Sequence, residues 1–406
     1  MAIKSCRKIT PVIISRLKNI TVENDFYGKR NKHSVTRNFI INSFYFAGFV
    51  FPTDKKRTSL CSLAFSILEH VTTLILVIYI VGHIRISFIW LSDSPIGLTL
   101  SYILGDLFTL AMRVIIFRKK KVILETIEYL QNVKGSLEKK RAITRRSWMV
   151  IGFVLCFLIP VEFFILVTLP LCSEGSEAIL SSYLRNGLFG LDTGNHRTNC
   201  VLMTIMDFLI SNQEYVVPGF LIVLSCYVFV LLQQIIKSFS TVNRNNDFDD
   251  VTSMHMEHFQ KISLCVQKVE ESLSLLLLVI YGFIVFCIYS TSTLLFWEIG
   301  VVEPVALLPH MIFGILAITA FYVTAFQAVA VNSAVVKVKN DYYGRVSRMR
   351  DSRQIEQCRV LLAIADDLAS CTCITGWRLF QFKRRFICQT ASAMMTFGFM
   401  FAQLGR

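Results

Sequence analysis

Apolar positions along this chain gather into long blocks separated by charged stretches. Seven blocks reach the roughly 20 residues that a helix needs to cross a bilayer. They lie within Ser59–Leu91, Leu98–Phe117, Trp148–Leu171, Asp207–Ile236, Ser272–Trp297, Val305–Val336 and Phe386–Leu404. The pattern predicts an all-α membrane protein with seven transmembrane helices. The first block carries Glu69 and His70 in its first half and Arg85 near its end, enough for one tilted span plus a helical extension. The sixth contains Pro309, which a membrane helix tolerates when neighbours satisfy the freed carbonyl. No internal repeat is visible.

Charge then orients the blocks. Lys and Arg number 12 in residues 1–58, 10 in 118–147, 3 in 237–263 and 11 in 337–385, whereas the alternate connections hold only Arg85, Arg185 and Arg197. Basic residues stay on the cytoplasmic side of a membrane protein. The N-terminus is therefore predicted cytoplasmic and, after seven spans, the C-terminus extracellular. Receptors coupled to G proteins have the opposite orientation, and the sequence "NDYYGR" at Asn340–Arg345 only superficially resembles their D-R-Y triplet. The start, "MAIKSCRKIT", is basic without the apolar core of a signal peptide, so the N-terminus is expected to be retained. Composition agrees with a membrane chain: 54% hydrophobic, 17% charged, mean hydropathy +0.55, against about 25% charged in soluble domains. The net charge of +14 needs no nucleic acid; topology and anionic lipid account for it.

Little in the sequence points to a reaction. There is no H-E-x-x-H helix, G-x-S-x-G elbow or P-loop, and "ILGD" at Ile103–Asp106 lacks the first glycine of the intramembrane aspartyl protease pattern. Cys371-x-Cys373 has no second ligand pair, and His255-x-x-His258 sits on a charged segment; neither is read as a metal site. No cofactor, metal or enzymatic activity is expected. The sequon at Asn19–Thr21 falls on the cytoplasmic side. Cys172 and Cys200 share the long outer connection after span three, where an oxidising exterior permits a disulfide.

Ionisable groups inside spans are costly and face a partner or a cavity. Asp106 and Arg113, seven apart in span two, lie on one helix face and are expected either to pair through a neighbouring helix or, for Arg113, to snorkel to the inner surface. Glu162, Glu214, Tyr215, Tyr289 and His310 lie at similar depth toward the exterior on spans three to six. They are candidates for a ligand cavity that opens outward, or else for bonds between helices.

The last span, "FICQTASAMMTFGFMFAQLGR", places Thr396 and Gln403 seven apart, within about 20° of one face. Thr396-Phe397, five residues, then Gln403-Leu404 resembles the closing T-Y-x5-Q-F signature of the arthropod gustatory receptors. The preceding stretch, Leu361–Phe386, is similar to that family's cytoplasmic helix leading into the seventh span, with Leu368, Gly376 and Phe380 at matching places. Phe397 and Leu404 replace the usual Tyr and Phe, and "CTCITGW" stands where a Leu-Asn pair is common, so the chain resembles a divergent member.

The resemblance implies a ligand-gated, non-selective cation channel of the plasma membrane, assembled as a homo- or hetero-tetramer with related receptors and opened by a small-molecule tastant. It implies that the last helix lines the pore. Gln403 and Thr396 would then meet ions, and Leu404 and Phe401 would form an apolar constriction of the kind that gates by dewetting. In Gln354–Ser370, Ile355, Cys358, Leu361, Leu362, Ala365 and Leu368 recur at three- and four-residue spacing, which predicts an amphipathic helix; the resemblance makes it the anchor between subunits, and a helix lying on the inner leaflet is the alternative. The chain divides accordingly: a cytoplasmic segment 1–58, helices one to six with the cavity in 59–336, a cytoplasmic anchor region 337–385 and the pore helix 386–406. An odorant-receptor-like channel subunit or co-receptor is the alternative within the same class, and a secondary membrane transporter the alternative outside it.

Overall fold

A computed structural model describes Phe49 and residues 59–89, 96–137, 177–187, 190–244, 251–298, 304–347, 366, 374–377 and 379–404, with scattered positions in 151–173. The described chain is built almost wholly from helices: α1 Ser59–Ile89, α2 Ile96–Leu137, α3 Glu177–Gly187, α4 His196–Ser211, α5 Val217–Arg244, α6 Val251–Glu298, α7 Pro304–Val346 and α8 Arg384–Leu404. A π-helical segment, Asn212–Val216, joins α4 to α5, and a two-stranded antiparallel hairpin, β1 Thr375–Gly376 with β2 Phe380–Gln381, precedes α8. Stretches within Ser66–Arg85, His196–Phe239, His258–Ser292 and Met311–Gly344 are long and apolar enough to cross a membrane. Of the third predicted span, residues 151–152 and 154–156 are helical, and the rest lies largely outside the described residues, as does the amphipathic segment Gln354–Ser370 apart from Asp366.

Helix α6 is the centre of the packing, touching α2, α5, α7, α8 and β1. Its stripe Leu273, Leu276, Leu277, Ile280 and Ile284 is buried, as are Phe220, Phe229, Ile235 and Phe239 of α5 and Phe321, Ala325 and Ala328 of α7. Small residues let the backbones approach. A Cβ added at Gly314 would come within 2.7 Å of Thr291, and one at Gly282 within 2.8 Å of Phe108. Helix α1 behaves differently: Leu63, Ile67, Val71, Leu74, Ile78 and Val81 recur at three and four residues and are all exposed. An apolar face turned outward is what lipid contact requires.

Three helices far exceed a bilayer. α2 has 42 residues, α6 has 48 and α7 has 43, or about 63, 72 and 65 Å at 1.5 Å per residue. The basic stretches that read as connections in the sequence are in part continuations of these helices. Beyond Phe117, α2 buries Ile123, Leu124, Ile127, Leu130 and Val133, and its polar residues reach across: Gln131 Nε2 donates to Tyr227 Oη at 2.9 Å, Lys134 Nζ to Gln234 Oε1 at 2.6 Å, and Lys119 Nζ to the Glu271 carbonyl at 2.7 Å.

Within Leu361–Phe386, the described residues 374–377 and 379–382 form a hairpin where the resemblance implied a helix. Gly376 allows a tight hairpin, because any Cβ at that position would lie 2.3 Å from the Phe380 ring. Trp377 follows at φ +46, and the chain turns back before α8 starts at Arg384.

At the opposite end of the long helices, α3 and the start of α4 form a small cap. Leu180, Leu184 and Met203 make its core, with Tyr79 of α1 packed against it. Cys172 and Cys200 are joined as a disulfide, Cα–Cα 5.5 Å. The Asn195 side chain caps α4 by accepting from the backbone N–H groups of Arg197 and Thr198, which an N-terminus otherwise leaves unsatisfied.

Candidate functional site

Two regions carry the polar groups that membrane burial makes conspicuous. The first surrounds the π-helical segment. Pro218 has no N–H to offer the turn before it, and the ladder widens: the Val217 N–H donates to the Asn212 carbonyl five residues back. π-turns inside α-helices frequently mark functional positions. This one places Gln213 in the interior and leaves Glu214 and Tyr215 half-buried.

Arg113 of α2 reaches Gln213. Its guanidinium is 2% exposed and spends its donors on four acceptors. Nε donates to Thr73 Oγ1 at 2.7 Å, Nη2 to the Glu69 carbonyl at 3.0 Å and to Thr72 Oγ1, and Nη1 to Gln213 Oε1. The Phe49 ring lies 4.9 Å away. Arg113 therefore does not snorkel, and it does not pair with Asp106. That carboxylate meets His83 Nδ1 of α1 at 2.8 Å, with Tyr79 stacked on the imidazole. Glu69, also buried, is bound by Lys120 Nζ at 2.7 and 2.9 Å. Fixed polar bonds thus run along the seam between α1 and α2 and end on the π-segment.

Of the residues singled out as ligand contacts, Glu214 and Tyr215 belong to that segment. The Tyr215 ring meets Phe313 of α7 edge-on at 5.3 Å. Tyr289 of α6 is half-buried and 6.4 Å from Phe286. His310 lies in α7 one turn before Phe313, with its side chain outside the described residues. Glu162 lies outside them altogether. The structure thus brings Tyr215 of the π-segment against α7 and Gln213 against Arg113 of α2, whereas Tyr289 sits on the side of α6 that carries Phe286, next to Phe108 of α2. Arg113 was visible in the sequence as an intramembrane cation; Gln213 carried no signal of its own.

The second region is α8 and its base. The exposed positions of α8 that are described are Arg384, Arg385, Cys388, Gln389, Ser392, Ala393 and Thr396, while Ile387 is buried and Phe386, Thr390 and Met394 are half-buried. Past its basic first turn the outward positions described, 388–396, carry the polar Gln389, Ser392 and Thr396 beside the small Cys388 and Ala393, where α1 turns Leu, Ile and Val outward. The Thr396 hydroxyl donates to the Ser392 carbonyl at 2.9 Å. Phe401, Gln403 and Leu404 form the last turn of the helix, with side chains outside the described residues.

At the base of α8, Tyr281 of α6 is ringed by Phe321 of α7, Phe380 and Phe382 of the hairpin and Phe386 of α8, with centroids at 5.0–5.5 Å. Phe380 and Phe386 stack in parallel at 4.5 Å. Glu270 accepts from the Thr375 N–H at 3.1 Å and from its hydroxyl, and the Trp377 N–H donates to the Ser274 carbonyl at 3.0 Å. Residues 270, 274 and 281 lie along one side of α6, so the hairpin and α8 are fastened to the helix that also carries Tyr289.

No family model matches the chain, and no curated protein matches it by sequence. Its fold, however, is similar to that of the insect olfactory receptor OR5 from Machilis hrabei. The TM-score is 0.62 at 12% identity, over 90% of this chain and 97% of that one. It is likewise similar to the same receptor in complex with eugenol, with TM-score 0.57 and 14% identity, over 91% of this chain and 98% of that one. The likeness covers nearly the whole of both chains, and at such identity it is one of fold.

Proposed function

We propose that this chain is a subunit of a chemoreceptor channel: seven helices cross the plasma membrane from a cytoplasmic N-terminus, a small organic molecule binds from outside, and α8 lines a cation pore. The carrying observation is the outward face of α8. A 21-residue helix about 31 Å long matches the hydrocarbon thickness, yet it turns Gln389, Ser392 and Thr396 outward where α1 turns Leu and Ile. Lipid does not reward such a face; a water-filled axis shared by several copies does. Gln403 follows Thr396 by seven residues and continues the same side, with Leu404 and Phe401 beside it as the apolar constriction.

The distribution of Lys and Arg supports the orientation, and the fold likeness to an insect olfactory receptor supports the receptor class. The eugenol complex of that neighbour supports a small organic ligand. Glu214, Tyr215 and Tyr289 are the candidate contacts, with Glu162 and His310 completing the set. A ligand bound there acts by preferring one arrangement of α6 and α7, and Tyr281 hands that preference to α8. No chemical reaction is involved. The Thr396-Phe397 and Gln403-Leu404 pairs favour a taste receptor. The olfactory neighbour favours an odorant-type subunit as the second reading.

The test is a recording from membranes holding only this protein, with cysteines introduced singly at 389, 392, 396, 400 and 403 in a Cys388→Ser background. External thiol reagents are expected to alter the ligand-evoked current at 392, 396 and 403 and to leave a Met394→Cys control unaffected. Persistent current with no reactive position along α8 overturns the pore assignment, and smooth coupled flux without unitary steps replaces the channel by a transporter. A ligand panel on wild type and Gln403→Ala separates pocket from pore: ion selectivity shifts while ligand preference stays.

A further inference from the structure

The basic run that ends the apolar part of α2 is divided between two sides of the helix. Lys120 reaches inward to the buried Glu69 of α1, and Lys119 to the Glu271 carbonyl of α6. Arg118 and Lys121 are exposed. Arg118 takes part in no ion pair among the described residues, and Lys121 meets only the exposed Glu125, at 3.9 Å, a pair of little strength at a surface. Leu107, Val114, Arg118 and Lys121 follow one another at seven, four and three residues and so share a face of α2. Leu107 and Val114 are exposed, as are Phe117 and Val122 on either flank. An apolar outward face thus turns cationic at its end.

The Lys120–Glu69 bond fixes the depth of that end. Glu69 stands less than one turn inside the apolar stretch of α1 that begins at Ser66, so Arg118 and Lys121 lie where hydrocarbon gives way to headgroups. The outward stripe of α1, with Ile67 and Val71, passes the same level, and the His70 ring lies 5.6 Å from that of Phe117. The pore helix packs elsewhere. On α6, Gly282 and Phe286 face Phe108 of α2, whereas Ser274 and Tyr281 face the hairpin and α8; the two pairs point about 110° apart around the helix. The edge formed by α1 and α2 is therefore turned away from the axis that α8 is proposed to line.

We infer that this edge is a headgroup site for acidic phospholipid, with Arg118 and Lys121 on the phosphate and carboxylate and the acyl chains running along Val114, Phe117 and the outward stripe of α1. The cations supply the charge complementarity, since acidic lipid gathers at basic residues just beyond a membrane span. Continuity with the apolar face of α1 makes a lipid, and not a soluble anion, the occupant. Lys120 cannot join the pair, because its departure would strand Glu69 as a buried charge. The proposed orientation puts this end of α2 at the cytoplasmic leaflet, where acidic lipid resides.

The test uses the full chain in vesicles of phosphatidylserine and phosphatidylcholine at equal mole fraction, with Val122 replaced by the photoreactive p-benzoylphenylalanine. Mass spectrometry of the irradiated protein counts the lipids captured beside Lys121. Phosphatidylserine is expected to be captured about fivefold more than phosphatidylcholine. R118Q/K121Q should bring that ratio to one while the phosphatidylcholine adduct remains, and R118K/K121R should keep the preference. Capture of neither lipid overturns the proposal and shows the edge to be covered by protein. Equal capture of both overturns the acidic preference. A preference erased by inorganic phosphate, but not by chloride at equal ionic strength, overturns lipid as the occupant and leaves a site for a free anion. The inference rests on the chain crossing a membrane and not on its conducting. Capture reads lipid contact whether or not unitary currents are seen, and both lipids are present in both leaflets, so its failure is distinct from failure of the channel reading.

Discussion

The bond between Arg113 and Gln213 makes the π-segment dependent on α2, and a double-mutant cycle measures that dependence. In Arg113→Met an apolar chain of similar length occupies the site. The Thr72 and Thr73 hydroxyls keep their bonds to the carbonyls of Leu68 and Glu69, at 2.9 and 2.7 Å, so the main loss falls on Gln213 Oε1, which forfeits its charged donor. A buried acceptor treated this way costs about 1–3 kcal/mol, and loss of the cation over Phe49 adds about 1 kcal/mol. In Gln213→Leu the guanidinium remains, with Nη1 unpartnered and still desolvated, a loss of about 1.5–3 kcal/mol. Removing both groups removes the mismatch, because an apolar replacement of a whole buried polar unit is often close to neutral. R113M/Q213L is therefore expected to be more stable than the sum of the single losses by about 2 kcal/mol. Unfolding in mixed micelles, titrated with sodium dodecyl sulfate and extrapolated linearly, supplies the four free energies. Losses that add to within about 0.5 kcal/mol would show that the two groups act independently and that the π-segment is not held from α2.

Three further outcomes follow from separate parts of the molecule. Gly376→Ala should lower the yield of folded protein, since the new Cβ overlaps the Phe380 ring, and Phe380→Leu should restore it; an unaffected Gly376→Ala protein refutes the packing. Cys172 and Cys200 close a 28-residue separation, so C172S/C200S should cost the cap roughly 3–4 kcal/mol in the chain-entropy account, seen as faster deuterium uptake over 177–211 with α6 unchanged. Asp192 accepts from the Ser181 hydroxyl, the Gly194 N–H, Asn199 and Arg185, which hold its carboxyl well below the usual carboxylate range. A depressed folded value means that the stabilisation is present at neutral pH and disappears only as pH falls through that value. The cap should accordingly resist pepsin at about pH 4 and open in stronger acid, whereas Asp192→Asn should be cut at both.

Much of the helical layout was legible because membrane burial selects long apolar blocks. The blocks Leu98–Phe117, Ser272–Trp297, Val305–Val336 and Phe386–Leu404 lie within helices, and the first block is helical from Ser59 to Ile89. What hydropathy hid was their continuation. Residues 118–137 look like a connection because Arg118, Lys119, Lys120 and Lys121 dominate the average, yet Ile123, Ile127 and Leu130 recur at helical spacing and are buried. The hairpin was hidden for another reason. Thr375 and Phe380 are good strand residues in a stretch whose family likeness suggested helix, and only the contact of Gly376 with Phe380 shows why the chain must turn. At the candidate site, Glu214, Tyr215 and Tyr289 were marked by polarity at one depth. Pro218, which accounts for the π-turn beneath them, leaves a signal that a span predicted by composition smooths over.

The length of α6 has a mechanical consequence. A rigid rod of about 72 Å is a lever, and a tilt of about 5° around its middle sweeps each tip through about 3 Å. The middle of the helix falls between Ser274 and Leu275, so the hairpin bonded to Glu270 and Ser274 sits at the pivot, while Tyr281 and Tyr289 ride about 10 and 22 Å out along one arm. The same tilt carries Tyr289 through about 2 Å and Tyr281 through about 1 Å, while the bonds at Glu270 and Ser274 stay almost in place, so the arm can swing without lifting the hairpin off its hinge.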